Sequence, residues 1–318
     1  MNGAAFFFLT LMLAGYVVLD GYDLGVGAVH LFLARTDAER ADSLGAIGPF
    51  WNGNEVVLIA AAAMLFAFFP AAYAAAFSGF YLPLMIVLWL LMGRGMAIEL
   101  RAHFPSDLWR GFWDVTFSAC SALLAFVLGL SLGNVLRGVP LDAGGTFTGS
   151  FALLLNGYAV GVGGLALAAL ALHGSAFLAW RTAGNIQARA AYAIRFLWPV
   201  VAALFVAVTW ATLRLHPAHA GVLFWFAPVG SVAALLGILR PGTAFRFGSS
   251  ALFLLCLVLS AGSTLFPYLL PSYPSGMGLD INHAGASAYA TRVGLMLFGI
   301  GAAATIAYAT VTARRLLR

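Results

Sequence analysis

Nine long runs of apolar residues alternate with shorter polar segments along this chain of 318 residues. A membrane-spanning helix needs about 20 mostly apolar residues, because the hydrocarbon core is about 30 Å thick and a helix rises about 1.5 Å per residue. The pattern therefore predicts nine transmembrane helices. The runs lie near residues 4–33, 51–69, 78–97, 112–134, 153–179, 192–213, 222–239, 248–269 and 289–312.

The basic residues between these runs are all arginines, and they are unevenly distributed. If the chain crosses the membrane at each run, 13 of the 16 arginines fall on one side, and only Arg137, Arg214 and Arg292 fall on the other. Basic residues are enriched in the cytoplasmic loops of membrane proteins. The distribution predicts an N-terminus outside and a C-terminus in the cytoplasm.

A short glycine-rich motif occurs twice. Residues 21–27 read GYDLGVG and residues 157–163 read GYAVGVG, and Cys120 and Cys256 are separated by the same offset. These matches favour an internal duplication. The alternative is that glycine is simply common wherever membrane helices pack closely.

The duplication would arrange the helices as two four-helix bundles plus one extra helix. Helices 1–4 (about 4–134) would form the first bundle, helices 5–8 (about 153–269) the second, and helix 9 (about 289–312) would be additional. We predict an all-α polytopic membrane protein with a single transmembrane domain over 1–318.

The composition supports this class. Hydrophobic residues make up 63% of the chain and charged residues 8%, whereas soluble domains carry about 25% charged residues. Disorder is excluded because it requires low hydrophobicity and high charge. The arginines form no clustered basic footprint, so no nucleic-acid partner is expected. Two cysteines in apolar runs argue against a disulfide scaffold or a cysteine metal site.

Four polar residues at membrane depth are candidates for a proton path, because ionisable groups in lipid are costly and usually functional. Asp20 and Asp23 are three residues apart on helix 1 and share a face. Asn52 and Glu55 have the same spacing at the start of helix 2. The alternatives are hydrogen bonding or ion pairing between helices for the aspartates, and a helix N-terminus interaction for Glu55.

Other polar residues carry weaker signals. Arg94 and Arg101 lie at the cytoplasmic edge of helix 3, where ion pairing and snorkelling are the ordinary roles. For His173, deep in helix 5, a hydrogen bond to a neighbouring helix is favoured over haem ligation, because no second histidine has helical spacing from it. The phosphate loop, HExxH and nucleophile-elbow motifs are missing. We therefore predict no metal site, no cofactor and no catalytic residue in this chain.

Several motifs together resemble subunit II of the cytochrome bd-type quinol oxidases. They occur in order and cover most of the chain, and the first 140 residues are the most specific. The motifs are DGYDLGVG at 20–27, IGPFWNGNEV at 47–56, FxxxPxxYAAAFSGFY ending at Tyr81, the Arg94…Glu99…Arg101 segment, WxxxWD at 109–114, GNxLxGVP at 133–140 and LFPYLLPS at 265–272.

The resemblance implies a subunit of a quinol:O2 oxidoreductase complex of the translocase class, with no activity from this chain alone. A related subunit I would hold haems b and d and the quinol site, and would reduce O2 to water with quinol electrons and cytoplasmic protons. Subunit II would stabilise subunit I and contribute to proton supply. Small single-helix accessory subunits, membrane lipid and a structural quinone are further expected partners, in the bacterial plasma (inner) membrane.

The resemblance also assigns residues. Asp20 and Asp23 match the family's helix 1 acids, and Trp51 and Asn54 match the helix 2 motif, as quinone or interface contacts. Many members have Asp where this chain has Asn52. Because an amide cannot release a proton at physiological pH, Glu55 or another entrance would have to replace it.

Two other functions remain open from the sequence. The duplication and the membrane-depth acids also fit a stand-alone proton-coupled secondary transporter, although Ala159 stands in the second half where Asp23 stands in the first. A purely structural scaffold is the third interpretation.

Overall fold

A computed structural model describes residues 1–142, 144–216, 222–273 and 278–301, with only the backbone over 222–227. Its elements are helices, except for one short two-stranded sheet. The helices are α1 (Asn2–Leu33), α2 (Asp37–Ile47), α3 (Trp51–Phe68), α4 (Pro70–Gly79), α5 (Tyr81–Leu100), α6 (Asp107–Arg137), α7 (Gly157–Arg181), α8 (Gly184–Leu215), α9 (Val222–Gly237), α10 (Thr243–Leu265) and α11 (Ala288–Gly301), and a short 3-10 helix covers Phe151–Leu154.

Seven of the described helices are long and apolar enough to cross a membrane: α1, α3, α5, α6, α7, α8 and α10. The predicted run 222–239 corresponds to the 16-residue helix α9. The predicted run 289–312 corresponds to α11, and its part beyond Gly301 lies outside the described residues. The structure thus confirms an all-helical fold with seven candidate spans among the described residues, and the nine-span topology stays a prediction.

Helix α2 is an addition to the predicted elements. It is short and polar, so apolar periodicity did not indicate it. Its start is fixed by a capping box, in which Thr36 accepts from the Glu39 backbone N–H and Glu39 accepts from the Thr36 backbone N–H. This reciprocal pair satisfies two of the N–H groups that a helix start leaves without partners.

The apolar stretch from Trp51 to Leu100 is divided into three helices. Pro70 begins α4, and a residue before proline is disfavoured in the helical region. Phe69 accordingly adopts φ −137° and ψ 63° and ends α3. Phe69 and Phe80, at the two junctions, are both buried and hold the bends against the core.

The two halves of the chain meet where α1 crosses α7. A Cβ atom at Gly25 would lie 1.9 Å from the backbone oxygen of Leu170, and one at Gly174 would lie 2.2 Å from the carbonyl carbon of Gly25. Helix α1 also packs on α3, α6 and α10, and α7 packs on α6, α8 and α10. These two glycines permit backbone contact that any larger residue would prevent.

The halves repeat one packing detail. A Cβ at Gly93 on α5 would lie 2.9 Å from Sγ of Cys120 on α6, and a Cβ at Gly230 on α9 would lie 2.9 Å from Sγ of Cys256 on α10. Each cysteine therefore fills the space left by a glycine on the preceding helix. This parallel is consistent with the predicted duplication.

The loops at the Arg-poor end form a small cover. Strands β1 (Tyr268–Leu270) and β2 (Leu279–Asp280) pair antiparallel, and Val139 bridges to Ser272. Val139, Leu154 and Leu270 are buried together there. The cover closes the ends of α6 and α10.

We predict that Gly25→Ala destabilises the protein by about 1–3 kcal/mol, the usual cost of overpacking. The added methyl group would collide with the α7 backbone, which cannot move away as a flexible side chain could. Thermal unfolding of the purified protein measures the effect. Gly15→Ala is the matched control, since a Cβ at Gly15 on the same helix meets nothing within 4 Å. Equal stability of the two variants would show that the α1–α7 contact is not tight.

Candidate functional site

Two fully buried carboxylates lie on one face of α1. Asp20 and Asp23 are both 0% exposed, as the i, i+3 spacing and the membrane depth of the motif suggest. Gly21 between them packs against Leu170 of α7. The aspartates therefore lie at the centre of the helix assembly.

Arg94 on α5 is the cation that meets these acids, and it is also 0% exposed. One terminal nitrogen lies 3.1 Å from Asp20 Oδ1 and 3.8 Å from Asp23 Oδ2. The other lies 2.8 Å from Glu55 Oε1 on α3. One guanidinium thus connects acids from two different helices, as its planar fork of donors permits.

Asn54 completes the connection between α1 and α3. Its amide nitrogen lies 2.8 Å from Asp23 Oδ2, 2.9 Å from the Tyr22 hydroxyl and 3.1 Å from the Leu19 backbone oxygen. Asn54 is buried, whereas Asn52 on the same helix is exposed and lies outside the cluster. Trp51 is buried and packs beside Gly95 of α5.

Glu55 differs from the aspartates in its exposure, because 26% of its side chain is accessible. Among the described residues, four buried polar atoms around the cluster have no hydrogen-bond partner: the Tyr16 hydroxyl, Asp20 Oδ2, Asp23 Oδ1 and Arg94 Nε. All four atoms can hydrogen-bond to water, and the two carboxylate oxygens can also accept a proton. The cluster therefore has one open end and an interior that can accept protons.

A second network lies near the Arg-rich end and is centred on Asp114 of α6. Its carboxylate accepts from Arg101 Nε at 2.5 Å, from Arg40 at 3.1 Å and from His30 Nε2 at 3.0 Å. Arg101 also pairs with Asp37 at 2.7 Å. Because Asp37 and Arg40 belong to α2, this network attaches α2 to α1, α5 and α6.

Two surface acids of α2 are held as anions. The hydrogen bond from Arg189 and those from the Arg35 and Thr36 backbone N–H groups lower the pKa of Glu39 from 4.5 to about 2. Hydrogen bonds from Arg101 and Arg110 lower the pKa of Asp37 below its usual value. Both acids are therefore charged at neutral pH.

The structure brings together three of the four residues predicted for a proton path. Asp20, Asp23 and Glu55 meet at one cluster, whereas Asn52 does not join it. The ion pairing given as an ordinary role for Arg94, and as the alternative role for the aspartates, is observed. The sequence does not indicate that Arg94 is fully buried at the centre of the cluster. Its glycine neighbours, Gly93 and Gly95, were the available signal, because they allow neighbouring helices to approach closely.

The hydrogen bonds predicted for His173 are observed. Its ring nitrogens lie 2.7 Å from Ser250 Oγ on α10 and 3.2 Å from the Val18 backbone oxygen on α1. Over the described ranges, no group of three or more His, Cys, Asp or Glu side chains could hold a metal ion.

An apolar cavity of about 280 Å³ lies between α1, α6, α7, α8 and α10, with Tyr16 and Gly21 in its wall. The structural quinone expected from the sequence stays a prediction. Of its two expected contact residues, Asn54 contacts Asp23 and Trp51 packs beside Gly95 within this chain.

The fold and the buried ion cluster together define a polytopic membrane protein with ionisable groups in its interior. Comparison with known proteins is consistent with this class. The family model of cytochrome bd terminal oxidase subunit II matches residues 1–315.

Named relatives agree with the family match. Cytochrome bd-I ubiquinol oxidase subunit 2 of Escherichia coli strain K12 is 32% identical over 301 residues, covering 82% of this chain and 79% of the relative. The probable cytochrome oxidase subunit 2 of Haemophilus influenzae has the same identity and coverage. A chain in the structure of bd oxidase from Geobacillus thermodenitrificans matches with a TM-score of 0.80 at 20% identity, over 99% of this chain and 98% of that chain, which shows a shared fold.

The chain therefore belongs to the family of cytochrome bd terminal oxidase subunit II. It is a multi-pass membrane subunit of an oxidoreductase complex. A subunit II implies a subunit I partner, and the family is known for haems in that partner.

We predict that Arg94→Met destabilises the protein by about 3–5 kcal/mol, because it leaves buried carboxylates without their cation. Adding Asp20→Asn to this variant should restore part of the loss. Arg110→Met is the control, since Arg110 pairs with Asp37 at the surface, where ion pairs contribute about 0–1 kcal/mol. Thermal unfolding of the purified complex measures all three. A mild effect of Arg94→Met alone would contradict the central role of Arg94.

A second prediction concerns pH and the attachment of α2 to α8. Because the folded-state pKa of Glu39 is lowered, its stabilisation is present in full above pH 4.5 and is lost as the pH falls toward 2. Hydrogen exchange of the α2 amides, normalised to intrinsic rates, should show protection falling across this window. The loss should be smaller in Glu39→Gln, where the contribution of Glu39 to the titration is removed and the other acids that hold α2 are unchanged. The same pH dependence in both proteins would remove Glu39 from this role.

Proposed function

We propose that this chain is the non-haem subunit of a bd-type quinol oxidase, that it supplies protons from the cytoplasm, and that it stabilises the haem-bearing subunit I. The observation that carries the proposal is the buried cluster in which Arg94 contacts Asp20, Asp23 and Glu55. In this proposal subunit I holds haems b and d and the quinol site and reduces O2 to water. The complex lies in the bacterial plasma (inner) membrane.

The charges of the cluster favour proton binding. One guanidinium can neutralise one of the three carboxylates, so two negative charges would remain uncompensated if all three acids were ionised. Uncompensated charge away from water is costly, and such groups bind protons instead. Arginine itself stays protonated. Arg94 therefore holds the acids together, and the carboxylates are the groups that exchange protons.

The exposures give the route a direction. Glu55 is the partly exposed member, and Asp20 and Asp23 are its fully buried partners on the other side of Arg94. Protons would enter at Glu55 and pass to the aspartates of α1. Glu55 in this role would replace the acid that many family members carry at the position of Asn52.

Stabilisation of subunit I is the second part of the proposal. Helices α3 and α5 present large apolar side chains that the chain itself leaves exposed: Val56, Ile59, Phe66, Leu82, Leu88, Trp89 and Met92. Such residues require lipid or another membrane protein. The acid cluster lies directly behind these helices, so a partner here would be close to the proposed proton route.

We predict that Asp23→Asn lowers oxygen consumption of the complex roughly ten- to hundredfold. A positioned proton-transfer group typically contributes about a hundredfold or more, so this loss is at or below the lower limit of that range. The amide keeps the size and the hydrogen-bonding capacity of the side chain but cannot exchange a proton at neutral pH. Oxygen uptake is measured together with the haem absorption spectrum, which should be unchanged. Asp142→Asn is the matched control, because Asp142 is an exposed loop acid far along the chain from the cluster.

Substitutions on α3 test whether protons enter the route at Glu55. Glu55→Gln should slow oxygen consumption, and Asn52→Asp added to it should restore activity only if a route through residue 52 is available. Normal turnover in Asp23→Asn and Glu55→Gln, with haem lost when the whole chain is deleted, would leave only a scaffold role. Proton-coupled uptake by this chain alone in liposomes would favour the transporter instead.

A further inference from the structure

A second cavity is a groove on the lateral surface of the helix assembly, away from the acid cluster. It has a volume of about 660 Å³ and lies between α1 and α8, with α6 and α7 behind it. Small residues form its floor, including Ala28, Gly164 and Ala168, and larger apolar side chains such as Phe32 and Phe196 form its walls. Phe32 is 75% exposed, so the groove is open to the membrane.

One end of the groove is basic. Arg35 and Arg189 both line it, with Tyr192 beside them. Arg189 is held in place, since its Nε donates to the Leu33 backbone oxygen at 2.7 Å and its guanidinium pairs with Glu39 at 2.5 Å. Arg35 is exposed, and its side chain makes no ion pair within the described ranges. Two guanidiniums and one carboxylate leave this end positively charged.

The length of the groove matches half of a bilayer when the polar headgroup region is included. From Arg189 to Leu204, both in its lining, α8 rises about 22 Å at 1.5 Å per residue. Half of a bilayer, counted with its polar headgroup region, is about 20–22 Å thick. The groove thus runs from the level of the basic end to the middle of the bilayer, and everything beyond its basic end is apolar.

We propose that this groove binds an anionic phospholipid, with the phosphate between Arg35 and Arg189 and one acyl chain along the floor at Gly164 and Ala168. Basic pockets between transmembrane helices recognise anionic head groups in this way. The two arginines at one end complement a phosphate, and the apolar lining beyond them complements an acyl chain, which favours a phospholipid over an uncharged protein helix.

Gly164 allows the groove to be filled without disturbing the protein. A Cβ at Gly164 would meet nothing within 4 Å. The leucine side chain of Gly164→Leu would therefore occupy space in the groove without displacing other atoms of the protein. Gly248→Leu is the matched control, because Gly248 on α10 is also open, exposed and outside the groove lining. Both substitutions remove a helix glycine, so their intrinsic effects on helix stability are similar.

The experiment uses the purified oxidase complex, delipidated in detergent and titrated with phosphatidylglycerol or phosphatidylcholine of identical acyl chains. Native mass spectrometry counts bound lipids. We expect Gly164→Leu to bind one phosphatidylglycerol fewer than the unsubstituted complex and than Gly248→Leu. Arg35→Gln should weaken phosphatidylglycerol binding at this site about fivefold, as expected for one basic residue near an anionic head group, and leave phosphatidylcholine binding unchanged.

Three results would overturn the proposal: an unchanged phosphatidylglycerol count in Gly164→Leu, equal binding of the two lipids in the unsubstituted complex, or loss of a protein subunit from Gly164→Leu. The last would identify the groove as a protein interface. Because lipid counting does not depend on turnover, these outcomes are independent of the proposed proton route.

Discussion

A guanidinium buried among carboxylates is the interaction on which the first half of this molecule depends. Arg94 cannot lie within the helix assembly unless its charge is compensated, and the acids that compensate it come from α1 and α3. The ion pairs therefore fix the relative positions of α1, α3 and α5. They also collect three ionisable acids around one point, so the arrangement that holds the helices is the same one that gives the site its chemistry.

The close crossing of α1 and α7 determines where this cluster lies. Gly25 and Gly174 bring the two backbones into contact, and this contact places the aspartate-bearing face of α1 away from lipid. The second half repeats the glycine–cysteine packing of the first, but it has Ala159 at the position that corresponds to Asp23.

At the Arg-rich end, a second set of ion pairs joins α2 to the membrane helices. Asp114 is nearly completely buried under Arg101, Arg40 and His30, and Glu39 connects α2 to α8 through Arg189. This polar layer seals the ends of α1, α5 and α6. Arg189 of this layer also lines the basic end of the lateral groove. The ion pairs that attach α2 therefore also position a charge on the adjacent membrane-facing surface.

The sequence by itself determined the all-helical membrane class, most helix positions and the acids Asp20, Asp23 and Glu55, because apolar length and the scarcity of ionisable residues are properties of the linear chain. The family resemblance was also visible there. Only the tertiary structure decided that Arg94 is the partner of those acids, that Asn54 rather than Asn52 contacts them, and that α2 is attached by Asp114. These facts depend on which helix faces meet, and residues such as Asp20 and Arg94, 74 positions apart, come together through packing that no local spacing encodes.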